Sequence, residues 1–204
     1  MRAELRMPAA AKTAEWITPE EYLEGELLSE TRHEYVEGRI YAVAGASDDH
    51  NRIAINLGSE LRERLRGHPC EPFVNDMKVK MPPQIADVFY YPDVLVAWDP
   101  TDSAKYFRER PVVIFEVLSP ETERTDVREK AIAYRQIPTV KVYALLEQDR
   151  MAVTILRQAE QGWRKEIIEG QRATLSLPEI GLEIPLARIY ERTSAAAQEQ
   201  DRPA

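Results

Sequence analysis

The chain has 204 residues, of which 44% are apolar and 30% are charged, and its formal net charge is −8. This length suits one domain with a substantial core. The single cysteine, Cys70, excludes an internal disulfide and a multi-cysteine zinc site. The acidic balance argues against non-specific coating of nucleic acid, but it is compatible with a nuclease, because metal-binding acids add to the negative total. We expect a cytoplasmic protein without a secretory signal or a membrane span, since no apolar run approaches the roughly 18 residues that a span needs.

The two ends of the chain differ in composition from its middle. Residues 1–15 are expected to form a flexible arm, and residues 193–204, which lack an apolar face, a flexible tail. Residues 16–192 are then expected to form a single domain. Its first helix is predicted to begin at Thr18, which can cap the helix while Glu21 completes a capping box.

A hairpin and a long helix are predicted next. Glu37 and Gly38 mark the turn of the hairpin, which covers residues 34–43. Ser47 then caps a helix that runs to about Arg66. Apolar residues repeat along this helix at every fourth position and predict one buried face: Ile53, Leu57, Leu61 and Leu65.

Strands dominate the rest of the predicted order. They cover residues 72–81, 92–98, 112–118, 140–146, 152–156 and 163–168, with a helix over residues 122–135. This order predicts a mixed α/β protein in which helices pack on one sheet.

Two of the predicted strands each carry a carboxylate within an apolar run. Asp93 precedes the run of residues 94–97, and Glu116 lies inside the run of residues 112–118. A buried carboxylate is costly unless something pairs with it, and two neighbouring carboxylates repel each other. If the strands are adjacent and in register, both acids can bind one hard divalent cation, Mg²⁺ or Mn²⁺. Such an ion activates water and neutralises charge on a phosphate.

A lysine on the following helix is the third candidate. Val127, Ala131 and Tyr134 form an apolar helix face, and Lys130 borders that face. A lysine that leans toward the sheet can position an attacking water or stabilise a pentacovalent phosphate. The alternatives are a solvated Lys130 and a Tyr134 that serves only the core.

Several stretches between residues 16 and 157 carry a family resemblance. They are His33–Gly38, Ala44–Ser47 with His50 on the next helix, Tyr91–Val94, Phe115–Thr122 and residues 126–134. These stretches resemble the Uma2 (DUF820) family of restriction-endonuclease-like proteins, within the PD-(D/E)xK nucleases. The resemblance implies a restriction-endonuclease-like central mixed sheet flanked by helices and Mg²⁺-dependent hydrolysis of DNA. It places the metal acids at Asp93 and Glu116 and a further catalytic acid at Glu34.

One position departs from the nuclease pattern. Leu118 stands where that pattern has its lysine, so Lys130 would have to reach in from the helix to replace it. Other candidates have simpler explanations: Glu116 can pair with an arginine, Glu34 can face water on an edge strand, and an exposed position after two helix-capping aspartates explains His50.

The resulting hypothesis is a metal-dependent DNA endonuclease with Glu34, Asp93, Glu116 and Lys130 as catalytic residues. The rival is a catalytically inactive nuclease-fold module that binds DNA or a protein partner. A third alternative, hydrolysis of a small phosphate ester, would use the same acids. By analogy with restriction endonucleases we expect a homodimer, because cutting two strands needs two sites.

Overall fold

Strands hold more of the described residues than helices do. The computed structural model describes residues 16–43, 45–119 and 129–200, and within these ranges the chain forms 13 strands and five α-helices. The helices are α1 (Pro19–Glu26), α2 (Asp48–Arg64), α3 (Ala131–Tyr134), α4 (Leu186–Ile189) and α5 (Ser194–Gln200). The strands are β1 (His33–Val36), β2 (Arg39–Ala42), β3 (Glu71–Val74), β4 (Lys78–Lys80), β5 (Val88–Tyr90), β6 (Val94–Ala97), β7 (Phe107–Arg108), β8 (Pro111–Val117), β9 (Val142–Leu146), β10 (Ala152–Ala159), β11 (Gly162–Glu169), β12 (Thr174–Leu177) and β13 (Leu182–Pro185). The expected arm over residues 1–15 and residues 122–128 of a predicted helix lie outside the described ranges.

Local sequence signals set the first elements as predicted. Thr18 and Glu21 form a reciprocal capping box at the start of α1. The turn between β1 and β2 uses Glu37 at φ 44° and Gly38 at φ 82°, which is the left-handed geometry of a tight hairpin. Ser47 caps α2 by accepting a hydrogen bond from the His50 amide. The predicted hairpin and both helix starts are confirmed.

The strands form two larger sheets and one small one. The five-stranded sheet has the order β2-β1-β5-β4-β7, the six-stranded sheet the order β11-β10-β9-β8-β6-β3, and β12 pairs with β13. In the six-stranded sheet β8 is antiparallel to β6 and parallel to β9. The predicted fold class, a mixed α/β fold with helices flanking the sheet, is confirmed, but the strands divide among three sheets where one was predicted.

Two backbone features explain why the strands divide between sheets. The predicted strand over residues 72–81 is two strands in different sheets, because Asn75 adopts a left-handed φ of 62° that ends β3. Pro92, which has no amide hydrogen for a ladder, separates β5 of the five-stranded sheet from β6 of the six-stranded sheet. The chain therefore crosses from one sheet to the other immediately before Asp93.

Apolar residues cover both faces of the six-stranded sheet. The predicted face of α2, including Ile53, Leu57 and Leu61, is buried against Val94 and Phe115. Ala131 and Tyr134 of α3 belong to a second cluster with Leu95 and Ile114, on the opposite face. This second face also carries Glu116, because Glu116 alternates with Phe115 along β8.

The C-terminal end differs from the expected tail. Residues 194–200 form α5, Ala195 is buried in the core, and the Ser194 amide donates to the Asp49 carboxylate. Ala195 and Ala196 pack against the core, so this segment has a small apolar face and is not the flexible tail predicted from the sequence. No helix within the described ranges has both the length and the apolar character needed to cross a bilayer.

Candidate functional site

The two predicted metal acids lie side by side on neighbouring strands. Val94 pairs with Phe115 in the β6–β8 ladder, so Asp93 and Glu116 occupy the next register position on one face. The Val117 amide donates to Oδ2 of Asp93 at 2.7 Å, which ties the aspartate to the residue after Glu116. Only 2% of Glu116 is exposed. The alternation predicted from the sequence thus brings both acids together.

Lys130 points into this site. Its Nζ lies 2.8 Å from Oε1 of Glu34 and 3.3 Å from Oε1 of Glu116, and only 6% of the residue is exposed. The alternative of a solvated Lys130 is therefore wrong, because Lys130 immediately precedes α3, whose Ala131 and Tyr134 pack on the six-stranded sheet. Lys130 thus places a positive charge beside Glu116. Leu118 packs against the apolar cluster on the same side of the sheet.

Glu34 reaches the site from the five-stranded sheet. Its Oε1 also accepts a hydrogen bond from the Tyr91 amide at 3.1 Å, so one oxygen binds both Lys130 and the backbone that leads to Asp93. The Glu34 side chain is 16% exposed, which contradicts the alternative that it simply faces water. Four predicted residues from four segments of the chain, Glu34, Asp93, Glu116 and Lys130, are therefore gathered at one place.

Two tyrosines, Tyr134 and Tyr90, contact the acid and the lysine of this site. The Tyr134 hydroxyl donates to Oε1 of Glu116 at 3.2 Å, and its ring packs against Tyr90 and Tyr143. Tyr134 thus serves both the core and the site. The Lys130 ammonium lies 5.6 Å from the centre of the Tyr90 ring. Burial, and then the negative charge of Glu34, raise the pKa of Tyr90 to about 12, so its phenol is neutral at pH 7.

His50 is a site residue that the sequence interpretation missed. Its Nε2 lies 3.3 Å from Oδ2 of Asp93, and only 14% of its side chain is exposed. The prediction that His50 is exposed is wrong, because the first turn of α2 lies against the start of β6. The Ser47 hydroxyl donates to the Gln148 amide oxygen, and Gln148 donates in turn to the Leu118 carbonyl. This chain of bonds fixes the start of α2 beside the end of β8. The sequence feature that could have indicated this role is the position of His50 in the first turn of α2, directly after Asp48 and Asp49.

The carboxylates fit a magnesium-type ion. Within the part of the chain that the structure describes, no three His, Cys, Asp or Glu side chains form a cluster that could hold a metal. Mg²⁺, however, is commonly bound by one or two carboxylates together with water and substrate phosphate. Asp93 and Glu116 offer hard oxygens at adjacent register positions, and no soft sulfur ligand lies among these residues. The donor set therefore suits Mg²⁺ or Mn²⁺ and does not suit a tetrahedral zinc site.

Fold and site together define a mixed α/β protein with a buried acid–lysine cluster where two sheets meet. The sequence model of the Uma2 family, described as "Putative restriction endonuclease", matches residues 19–187. The chain belongs to this family.

Relatives and a solved structure agree with this assignment. The uncharacterised protein slr1290 of Synechocystis sp. is 33% identical over 180 residues, which cover 85% of this chain and 91% of the relative. The uncharacterised protein sll1609 of the same organism is 34% identical over 139 residues, covering 67% of this chain and 77% of the relative. A crystal structure described as a "putative nuclease belonging to DUF820", from Anabaena variabilis, superposes with a TM-score of 0.68 at 19% identity. That superposition covers 85% of this chain and 97% of the other, and it shows the shared fold.

Proposed function

We propose that this protein is a metal-dependent endonuclease that hydrolyses phosphodiester bonds in DNA. The observation that carries the proposal is the buried Lys130 ammonium between Glu34 and Glu116, with Asp93 bonded to the residue that follows Glu116. A buried cluster of this kind is expensive to build, so its presence favours a functional role. Membership of the Uma2 family supports the same reaction class.

Asp93 and Glu116 are the residues that would hold Mg²⁺ or Mn²⁺. When bound, the ion supplies Lewis-acid activation of water and neutralises phosphate charge. The three carboxylates of the site carry more negative charge than Lys130 balances, so a divalent cation would relieve their repulsion. His50 and the Val117 amide fix one oxygen of Asp93 and so orient its carboxylate.

Lys130 and Glu34 are assigned to the attacking water and the transition state. The Lys130 ammonium carries positive charge beside the metal acids, where it can orient the water or stabilise the charge that develops on a pentacovalent phosphate. Glu34 holds this ammonium at 2.8 Å and keeps it directed into the site. Tyr134 restricts Glu116 by donating to the oxygen that faces Lys130.

The test is cleavage of supercoiled plasmid by the purified protein in Mg²⁺ or Mn²⁺. We expect nicked or linear product that EDTA suppresses, with much slower hydrolysis of a small chromogenic phosphodiester. Faster hydrolysis of the small ester than of plasmid would instead favour the small-ester alternative. No cleavage of either substrate by folded protein would refute the enzymatic proposal.

The inactive nuclease-fold module is the second candidate. Lys130 already neutralises part of the acid cluster, which is the arrangement expected of a fold that has no need of metal. Calorimetry separates the two: the enzyme binds Mn²⁺ in a way that Asp93→Asn weakens, whereas the module binds DNA without any heat of metal binding. A homodimeric state, a DNA substrate and a cytoplasmic location belong to the proposed nuclease function.

A further inference from the structure

A second buried polar cluster lies on the opposite face of the five-stranded sheet, beneath α1. At its centre is the Glu26 carboxylate, whose side chain is 6% exposed. It accepts hydrogen bonds from the Tyr91 hydroxyl at 2.9 Å and from the His33 amide at 3.2 Å, and His33 Nδ1 lies 2.8 Å from its other oxygen. None of these groups belongs to the site described above.

Two cationic side chains lie near the Tyr91 ring. The Lys78 ammonium lies 5.0 Å from the ring centre and the Arg32 guanidinium 5.8 Å. Lys78 is only 4% exposed, and burial lowers the pKa of its ammonium while Glu26 opposes that effect. Burial, followed by the hydrogen bond to Glu26, raises the pKa of the Tyr91 phenol. The hydroxyl therefore remains a proton donor to Glu26 throughout the neutral range.

Tyr91 connects this cluster to the acid–lysine site through its own backbone. Its side chain points to the α1 face, whereas its amide donates to Oε1 of Glu34 on the other face. A displacement of the Tyr91 ring would therefore move the backbone donor that holds Glu34.

We propose that Glu26 and Tyr91 are positioning residues that set Glu34 from behind the sheet. The predicted change in cleavage rate rests on the proposed function, whereas the predicted change in exchange of the Tyr91 amide rests on geometry alone. A buried hydrogen bond that orients a ligating or catalytic carboxylate typically changes activity 10–100-fold when it is lost. Because Glu26 and Tyr91 act through Glu34, their removal has little further effect once Glu34 itself has been replaced.

The experiment compares Tyr91→Phe with the wild-type protein in plasmid cleavage and in amide hydrogen exchange. We expect kcat to fall about tenfold with KM unchanged, and the Tyr91 amide to lose protection. In a Glu34→Ala background, which removes the acceptor of the Tyr91 amide, Tyr91→Phe should reduce the remaining kcat less than twofold. Tyr190→Phe, which removes another buried phenol hydrogen bond, to the Ala152 carbonyl, is the matched control and should leave kcat unchanged.

A second pair of variants tests the same link without altering Tyr91. Glu26→Gln keeps an oxygen acceptor for the Tyr91 hydroxyl and should retain most of the activity and protection, whereas Glu26→Leu should reproduce Tyr91→Phe. Unchanged Tyr91 protection in both Tyr91→Phe and Glu26→Leu would overturn the proposal. The proposal would also be overturned if Tyr91→Phe lowered kcat by the same factor in the Glu34→Ala background as in the wild-type protein. If the wild-type protein does not cleave DNA, the proposed function fails, while amide exchange still decides the positioning role.

Discussion

Replacing Lys130 with methionine should reduce both stability and activity, because it removes the cation that lies between two carboxylates. Methionine preserves most of the buried aliphatic stem, so the change isolates the ammonium. In the wild-type protein this ammonium lies 2.8 Å from Glu34 and 3.3 Å from Glu116. Without it, two negatively charged groups face each other in a largely buried site.

The size of the effect follows from the burial of the two acids. Removal of one partner from a buried ion pair costs about 3–5 kcal/mol. The Glu116 side chain is 3% exposed, but that of Glu34 is 16% exposed and can gain water, so we expect the lower end, about 3 kcal/mol. For a domain of this size each kcal/mol shifts the melting temperature by about 2–4 °C, which predicts a decrease of about 6–12 °C.

The assay is urea and thermal unfolding at pH 7 of Lys130→Met, with Lys165→Met as the control at an exposed strand position. Adding Glu116→Gln to Lys130→Met should restore part of the lost stability, because it removes one of the two negative charges that Lys130 contacts. A loss below about 1 kcal/mol for Lys130→Met, or a double variant less stable than the single one, would refute this reasoning.

Two further predictions concern the surrounding fold. Gly38→Ala should lower the free energy of unfolding by about 1–3 kcal/mol, because φ is 82° and the new Cβ would lie 2.4 Å from the Trp16 ring. Gly25→Ala, where nothing lies within 4 Å of the new Cβ, should instead stabilise the protein, and thermal melts of both variants test this contrast. Asp99 has a pKa lowered from 3.8 to about 2 by hydrogen bonds from Thr101 and then Arg110. Its contribution to stability is therefore complete above pH 3.8 and is lost as the pH falls through 2, so Asp99→Asn should flatten the acid limb of a stability–pH curve between these values; an unchanged limb would contradict the assignment.

Much of the site was predictable because two of its acids lie within or next to short apolar runs. Glu116 within an apolar run indicated a buried carboxylate, and Asp93 before a similar run indicated its neighbour. The hairpin turn at Glu37 and Gly38 was also predictable, because the backbone geometry of a tight turn depends on adjacent residues.

What the sequence could not supply depends on contacts between distant segments. The direction of Lys130 depends on how α3 packs on the sheet, and the burial of His50 depends on the approach of α2 to β6. The apolar periodicity of either helix does not show how close Lys130 comes to Glu34 or how close His50 comes to Asp93. The link from Glu26 through Tyr91 to Glu34 joins two faces of a sheet and has no short-range signal. The division of residues 72–81 into two strands depends on a single left-handed asparagine that alternation alone did not reveal.

The most direct test of the central claim is the rate of plasmid cleavage in Mg²⁺ by the wild-type protein and by Glu116→Gln at equal folded concentration. Glu116→Gln retains the size of the side chain and one acceptor oxygen for Lys130 and Tyr134, while it removes a negatively charged metal ligand. The account predicts that cleavage falls at least a hundredfold, a loss of the size seen when a group that stabilises charge in the transition state is removed. Equal cleavage by the two proteins would contradict the assignment of Glu116 to the active site.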